Sequence, residues 1–165
     1  MPLNEAFIAE LEQEAKATRR LLERVPLDKS DWKPHDKSMS LGRLASHVAE
    51  IPGWVSVTLD ADELDFSKMD YKPVIASSNK ELLEIFEKNY KKALESLKRA
   101  KDEEFMKNWT LRNGETVYMT LPKAAVLRSF AYSHQIRHRG QLTVYMRLNN
   151  VALPGIYGPT ADEPM

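Results

Sequence analysis

The stretch Tyr132-Ser-His-Gln-Ile-Arg-His-Arg-Gly-Gln-Leu142 sets two histidines, His134 and His138, four residues apart. On a helix that spacing stacks both rings on one face, with Cβ atoms about 5–6 Å apart. The flanking residues read as a helix, because Leu127, Ala131, His134, His138, Leu142 and Tyr145 recur at i, i+4, i+7. The pattern turns both imidazoles inward and leaves Lys123, Arg128 and Arg147 to solvent. An inward histidine is costly unless its ring nitrogens find partners, and a metal ion is one such partner.

Working outward from this helix, the chain supplies three more amphipathic segments. Phe7, Leu11, Ala15, Thr18, Leu22 and Val25 share one face of a first helix, expected over about residues 3–25, with Asn4 as N-cap and Pro26 as its stop. Residues 26–39 are polar and broken by Pro26 and Pro34; Trp32 is expected to plug one end of the core and His35 to be solvated. Ser40 caps a second helix with Leu41, Leu44, Ala45, Val48 and Ile51 at helical spacing. Pro52-Gly53 kinks or ends it, and Trp54, Val55 and Leu59 let it resume. His47 lies in its apolar arc, where a lone histidine is more often a hydrogen-bonded core residue than a ligand.

Asp60, Asp62, Glu63, Asp65 and Asp70 mark residues 60–77 as a solvated acidic loop without EF-hand spacing. Ser78-Asn-Lys-Glu81 is a capping box that opens a third helix, running to about Arg99. Asn113-Gly114, between β-favouring residues from Trp109 to Tyr118, predicts a hairpin that must pack on helices to persist. Thr120 and Pro122 open the last helix, which ends near Leu148. The Gly- and Pro-rich tail from Val151 is a loop. The expected fold is all-α, a single domain over residues 1–165. It is a four-helix bundle with a long crossover connection between its second and third helices and a small β-hairpin before the last.

Composition narrows the function classes. The 24 Lys and Arg balance 24 Asp and Glu, so no broad basic surface exists for nucleic acid or membrane. Cysteine is absent, which removes disulfides, thiolate metal ligands and a cysteine nucleophile. No apolar run approaches the roughly 20 residues of a membrane span, and Met1 to Phe7 lacks the pattern of a signal peptide. A cytoplasmic protein is expected.

The metal chemistries that these histidines support are limited. A zincin needs His-Glu-x-x-His, and Gln135 follows His134 instead. A ferritin-like di-iron site needs Glu three residues before each histidine, where Ala131, Gln135 and Leu44 stand. What remains is three neutral imidazoles, His47, His134 and His138, from two facing helices, with a further position open for water or substrate. Zinc suits this set, and nickel and iron(II) fit it too. Glu50, one turn after His47, is a candidate proton carrier or acceptor behind it, or faces water; Gln141, three residues past His138, is a candidate partner of a metal-bound water, or bridges helices. Arg137 and Arg139 flank His138 as candidates for pairing with an acid or an anionic substrate. Spacing alone leaves metal binding and a plain core pair equally open.

Leu41-Gly-Arg-Leu-Ala-Ser-His47, Ser133-His-Gln-Ile-Arg-His138-Arg-Gly-Gln-Leu142 and Ile156-Tyr-Gly-Pro-Thr-Ala-Asp-Glu163, in that order, resemble the DinB family of damage-inducible-type proteins. The resemblance spans nearly the whole chain, and His-x-x-x-His-Arg-Gly-Gln-Leu is its most specific part. It implies a four-helix bundle holding a divalent metal on a histidine triad that maps onto His47, His134 and His138. It also implies frequent homodimers, and relatives that transfer low-molecular-weight thiols such as bacillithiol or mycothiol to electrophiles. Three functions follow as expectations: a metal-dependent thiol S-transferase, a hydrolase using metal-bound hydroxide with Glu50 as proton carrier, or a non-enzymatic metal- or ligand-binding protein. In each, the partner is a small molecule rather than nucleic acid or membrane.

Overall fold

The computed structural model describes residues 2–164. Its first helix, α1 (Leu3–Leu22), starts at Leu3 rather than after an Asn4 cap. The acceptor that Asn4 was expected to supply comes from elsewhere: Asp102 Oδ1 takes the Leu3 N–H at 2.9 Å. Helix α2 (Leu41–Glu50) begins as expected, with Ser40 Oγ accepting from the Arg43 amide at 3.3 Å. Pro52 and Gly53 break it, and α3 (Gly53–Leu59) resumes at once. At Gly42 a Cβ would lie 1.8 Å from Ser30 Oγ, so only glycine lets the preceding loop pass this close to α2. Helix α4 (Asn79–Arg99) is capped by Ser78, whose Oγ accepts from the Glu81 amide at 3.2 Å. The returning arm of the capping box lands one residue early, because Glu81 Oε2 accepts from the Ser77 amide and hydroxyl at 2.7 and 2.6 Å.

Helix α1 packs on α4, α2 on α4 and the last helix, and α3 on α4. Leu21, Leu22, Leu44, Val48, Phe86, Leu142 and Met146 fill one end of the interior. Trp32 packs edge-on against Tyr145 there, at 5.5 Å between ring centroids, as the plug the sequence suggested. Phe7, Leu11, Val55, Leu97, Phe105 and Leu127 fill the other end.

The all-α expectation needs correcting, because the chain is mostly helical but carries a three-stranded sheet in place of a lone hairpin. Strand β2 (Asn108–Asn113) is central; β3 (Thr116–Pro122) pairs with it antiparallel and β1 (Glu63–Asp65) parallel. A two-stranded ribbon is marginal in water, and the third strand together with buried Trp109, Leu111 and Val126 stabilises it. The acidic stretch expected to be loop therefore holds β1, whose Asp65 reaches across the sheet. Asp65 Oδ1 accepts from Gly114 N at 2.9 Å and from Ser67 N at 3.0 Å, and these bonds hold its carboxyl well below the usual carboxylate range. The turn is shifted by one residue from the expected Asn-Gly pair. Asn113 pairs with Thr116, and Gly114, at φ +58°, takes the first turn position, which type II′ turns reserve for glycine. A short helix, α5 (Asp102–Met106), precedes β2.

The last helix is continuous from Lys123 to Leu148 but not uniform. Helix α6 (Lys123–Val126) passes into a π-helical stretch, Leu127–Ser133, and then into α7 (His134–Leu148). Winding i→i+5 rather than i→i+4 takes up extra residues per turn, so the buried face slips by about one position. Gln135 and Arg139 are buried where the α-helical pattern put His134 and His138, and the two histidines sit half-buried on the flank. Lys123, expected in solvent, is 1% exposed and held by Asp62, Glu104 and the Leu59 carbonyl.

Arg139 is 1% exposed and locks α7 to α1. Its guanidinium donates to the Glu14 carboxylate, to the Glu14 carbonyl and Thr18 Oγ1, each at 3.1 Å, and to Tyr157 of the tail. The tail is fixed on this face: Glu163 pairs with Arg20 and Arg24, and Asp162 with Arg147. Removing one member of a buried ion pair strands the other. Arg139→Met is therefore expected to cost about 3–5 kcal/mol in urea unfolding, and the double variant with Glu14→Gln markedly less.

Candidate metal centre

Helices α2 and α7 pack together, and the three histidines meet along their shared edge. Ring centroids lie 5.1 Å apart for His47 and His134, 4.7 Å for His47 and His138, and 4.6 Å for His134 and His138. The Nε2 atoms of His47 and His134 are 3.2 Å apart, and one ring nitrogen from each histidine lies within 4.8 Å of the others. The triad expected from the sequence is assembled.

The outer nitrogen of each ring faces an acceptor. His134 Nδ1 is 3.2 Å from the Phe130 carbonyl, and His138 Nδ1 is 2.7 Å from Gln141 Oε1. His47 Nδ1 stands 3.7 Å from Glu50 Oε2. A proton on each Nδ1, turned to these acceptors, would leave each Nε2 free to ligate, which is the tautomer that metal-binding histidines adopt. Two nitrogens bonded to one ion at about 2.0–2.1 Å with tetrahedral angles stand about 3.3 Å apart, close to the 3.2 Å between His47 and His134. The donor set thus fits a divalent cation on three neutral nitrogens. Burial, then the proximity of His138 and His47, pushes His134 down to about 4. Burial also lowers His138, against the opposing pull of Gln141. Both shifts favour the unprotonated ring that a metal ion needs.

Glu50 is more constrained than the sequence conveyed. Arg43 Nη2 donates to its Oε2 at 2.8 Å and Tyr71 Oη at 3.1 Å. Burial alone would raise this carboxyl, but His47, Arg43 and Tyr71 together outweigh it and keep it below its ordinary value. Arg43 and Tyr71 escaped the sequence reading. Arg43 lies one turn before His47 and two before Glu50 on the same helix, a spacing that could have drawn notice. Tyr71 arrives from a distant loop and carried no signal. Of the two arginines beside His138, Arg137 is exposed and Arg139 faces Glu14, away from the triad. His35 lies apart, its Nδ1 accepting from the Lys37 amide at 3.1 Å.

An unfolded histidine titrates near 6.5. Between that value and about 4, the unfolded chain binds a proton that folded His134 refuses. Stability of the metal-free protein is therefore full above pH 6.5 and falls toward pH 4, by on the order of 1–2 kcal/mol once the partial exposure of the ring is discounted. Urea midpoints of chelator-treated protein should trace this slope, and His134→Ala should flatten it.

Three comparisons bear on kinship. The uncharacterized protein YrdA of Bacillus subtilis (strain 168) is 27% identical over 157 residues, covering 95% of this chain and 89% of its own. The crystal structure of a DinB-like protein from Bacillus cereus ATCC 10987 superposes with a TM-score of 0.71 at 22% identity, over 94% of this chain and 98% of that one. That of a DinB-like protein, YjoA, from Bacillus subtilis gives 0.69 at 19% identity, over 90% and 96%. These two share the fold. The DinB family pattern matches residues 1–164, from before α1 to the end of the tail that clamps it, so this chain belongs to the DinB family.

Proposed function

We propose that the protein is a metal-dependent enzyme that transfers a low-molecular-weight thiol to a small electrophile, using a divalent ion, zinc or nickel first and iron(II) next, on His47, His134 and His138. The observation that carries this reading is the convergence of one ring nitrogen from each of three half-buried histidines, with acceptors behind His134 and His138 and the Glu50 carboxylate near His47. The long helical stretches around the site are read as the four helices of a bundle. When bound there, a divalent ion on three uncharged ligands keeps its positive charge and favours the thiolate form of a sulfur donor.

The chain's own residues supply orientation. Gln141 fixes the ring of His138 and Glu50 that of His47, both acting through the histidines as positioning residues. The chain contains no cysteine, so the sulfur nucleophile must come from a cosubstrate. Its sulfur forms the new S–C bond, the leaving group departs with its electron pair, and the thiol proton passes to solvent. The hydrolytic alternative requires a proton carrier, and Glu50 is its one candidate. A carboxylate engaged by Arg43 and Tyr71 and held below its normal range is a weak proton acceptor, which favours transfer over hydrolysis. No helix among the described residues is long and apolar enough to cross a membrane. The reading carries with it a cytoplasmic homodimer without nucleic-acid or membrane partners.

Elemental analysis of untagged protein is expected to give about one divalent ion per chain, with loss of metal in His138→Ala. Conjugation of chlorodinitrobenzene should then be assayed with bacillithiol, glutathione and coenzyme A. Metal-dependent turnover with at least one of them is expected, reduced about a hundredfold or more in His138→Ala; silence with all three would overturn the transferase. Glu50→Gln should weaken metal binding about tenfold yet retain turnover at saturating metal. Metal-dependent hydrolysis of an ester substrate that is lost in Glu50→Gln at saturating metal, with no thiol conjugation, would instead favour the hydrolase.

A further inference from the structure

A groove of about 740 Å³, open to solvent, starts at His47 and Glu50 and runs between α3, α4 and the segment from β1 to Val74. Its volume is that of a small-molecule site. Its walls are largely apolar, formed by Trp54, Val57, Leu64, Phe66, Met69 and Val74. Several of these side chains are unusually bare: Phe66 is 41% exposed, Met69 43% and Val74 45%, and Tyr71 beside them is 56% exposed. Such a cluster on one concave surface marks a binding site rather than scattered surface residues.

The polar groups of the groove are nearly all committed within the protein. Asn89 Nδ2 donates to the Ala49 and Ile85 carbonyls at 3.2 and 3.0 Å, and Ser56 Oγ to the Gly53 carbonyl at 2.9 Å. Glu50 is neutralised by Arg43, and Asp70 lies 3.4 Å from Lys72. The exception is Lys92 on the α4 wall, which has no ion-pair or hydrogen-bond partner among the described residues. One unpaired cation beside an apolar trough is complementary to an apolar molecule that bears one negative charge.

We infer that this groove binds an amphiphilic organic anion, its apolar or aromatic body lying along Trp54, Phe66 and Met69, its acidic group at Lys92, and its reacting end directed to His47. The last element rests on the metal-centre reading; the first two do not. Ligand selection then lies in Trp54, Lys92 and the segment from β1 to Val74, none of which belongs to the histidine triad.

The test uses anilinonaphthalene sulfonate, an aromatic anion whose fluorescence rises in apolar sites, and its uncharged counterpart N-phenylnaphthylamine, each titrated into native full-length protein with and without metal. One sulfonate probe per chain is expected. Lys92→Glu should weaken it about three- to tenfold while leaving the uncharged probe unchanged, and Phe66→Glu should weaken both. Both substitutions are at exposed positions, and unchanged urea midpoints would verify their folding. Failure of the native protein to bind either probe would overturn the assignment. So would indifference to Phe66→Glu, equal effects of Lys92→Glu on the two probes, or affinity that falls as protein concentration rises, which would mean a second copy occupies the groove. Metal content measured on the same samples separates the two readings. Probe binding by protein that retains no ion after incubation with metal would leave the groove and remove the metal centre, whereas metal retained without probe binding would do the reverse.

Discussion

Three imidazoles from two helices are crowded together, one ring nitrogen of each within 4.8 Å of the others, an arrangement that loose side chains do not reach unaided. The fold has to hold the rings there. It does so with helices already fixed by other contacts. Arg139 ties α7 to α1 through Glu14 and Thr18, and Asn89 ties α4 to α2 through the Ala49 carbonyl. The rings are mounted on scaffolding whose stability does not come from the rings themselves.

The histidine pair on the last helix was legible because i, i+4 is a local relation that survives whatever the distant fold does. His47 was legible only by elimination and resemblance, since a single histidine on an apolar arc has no local signature. The helix termini at Ser40 and Ser78 were readable for the same local reason. What stayed hidden was non-local. Strand β1 is three residues long, carries two carboxylates and finds its partner more than forty residues later, so no pattern within its own window identifies it. The face of the last helix was misassigned because a seven-residue π segment has no sequence signature comparable to a cap. Periodicity assumes uniform winding, and one slipped position exchanges His134 for Gln135 and His138 for Arg139.

The same slip has a functional side. Had the winding stayed α-helical throughout, the two histidines would have faced the interior and Gln135 and Arg139 the surface. With the slip, a charged residue takes the core position, where Glu14 and Tyr157 neutralise and cover it, and the histidines are released to a solvent-accessible edge beside the groove. Irregular winding often marks places where a site has displaced packing, and here the two demands fall on adjacent residues of one helix.

Glu14 and Arg139 are also separated in time. The ribosome delivers Glu14 125 residues before Arg139, which at roughly 5–20 residues per second is about 6–25 s. Throughout that interval the nascent α1 carries a carboxylate with no guanidinium to receive it, and His47 has emerged without either of its companions. The Glu14–Arg139 tie between α1 and α7 must therefore await the synthesis of residue 139.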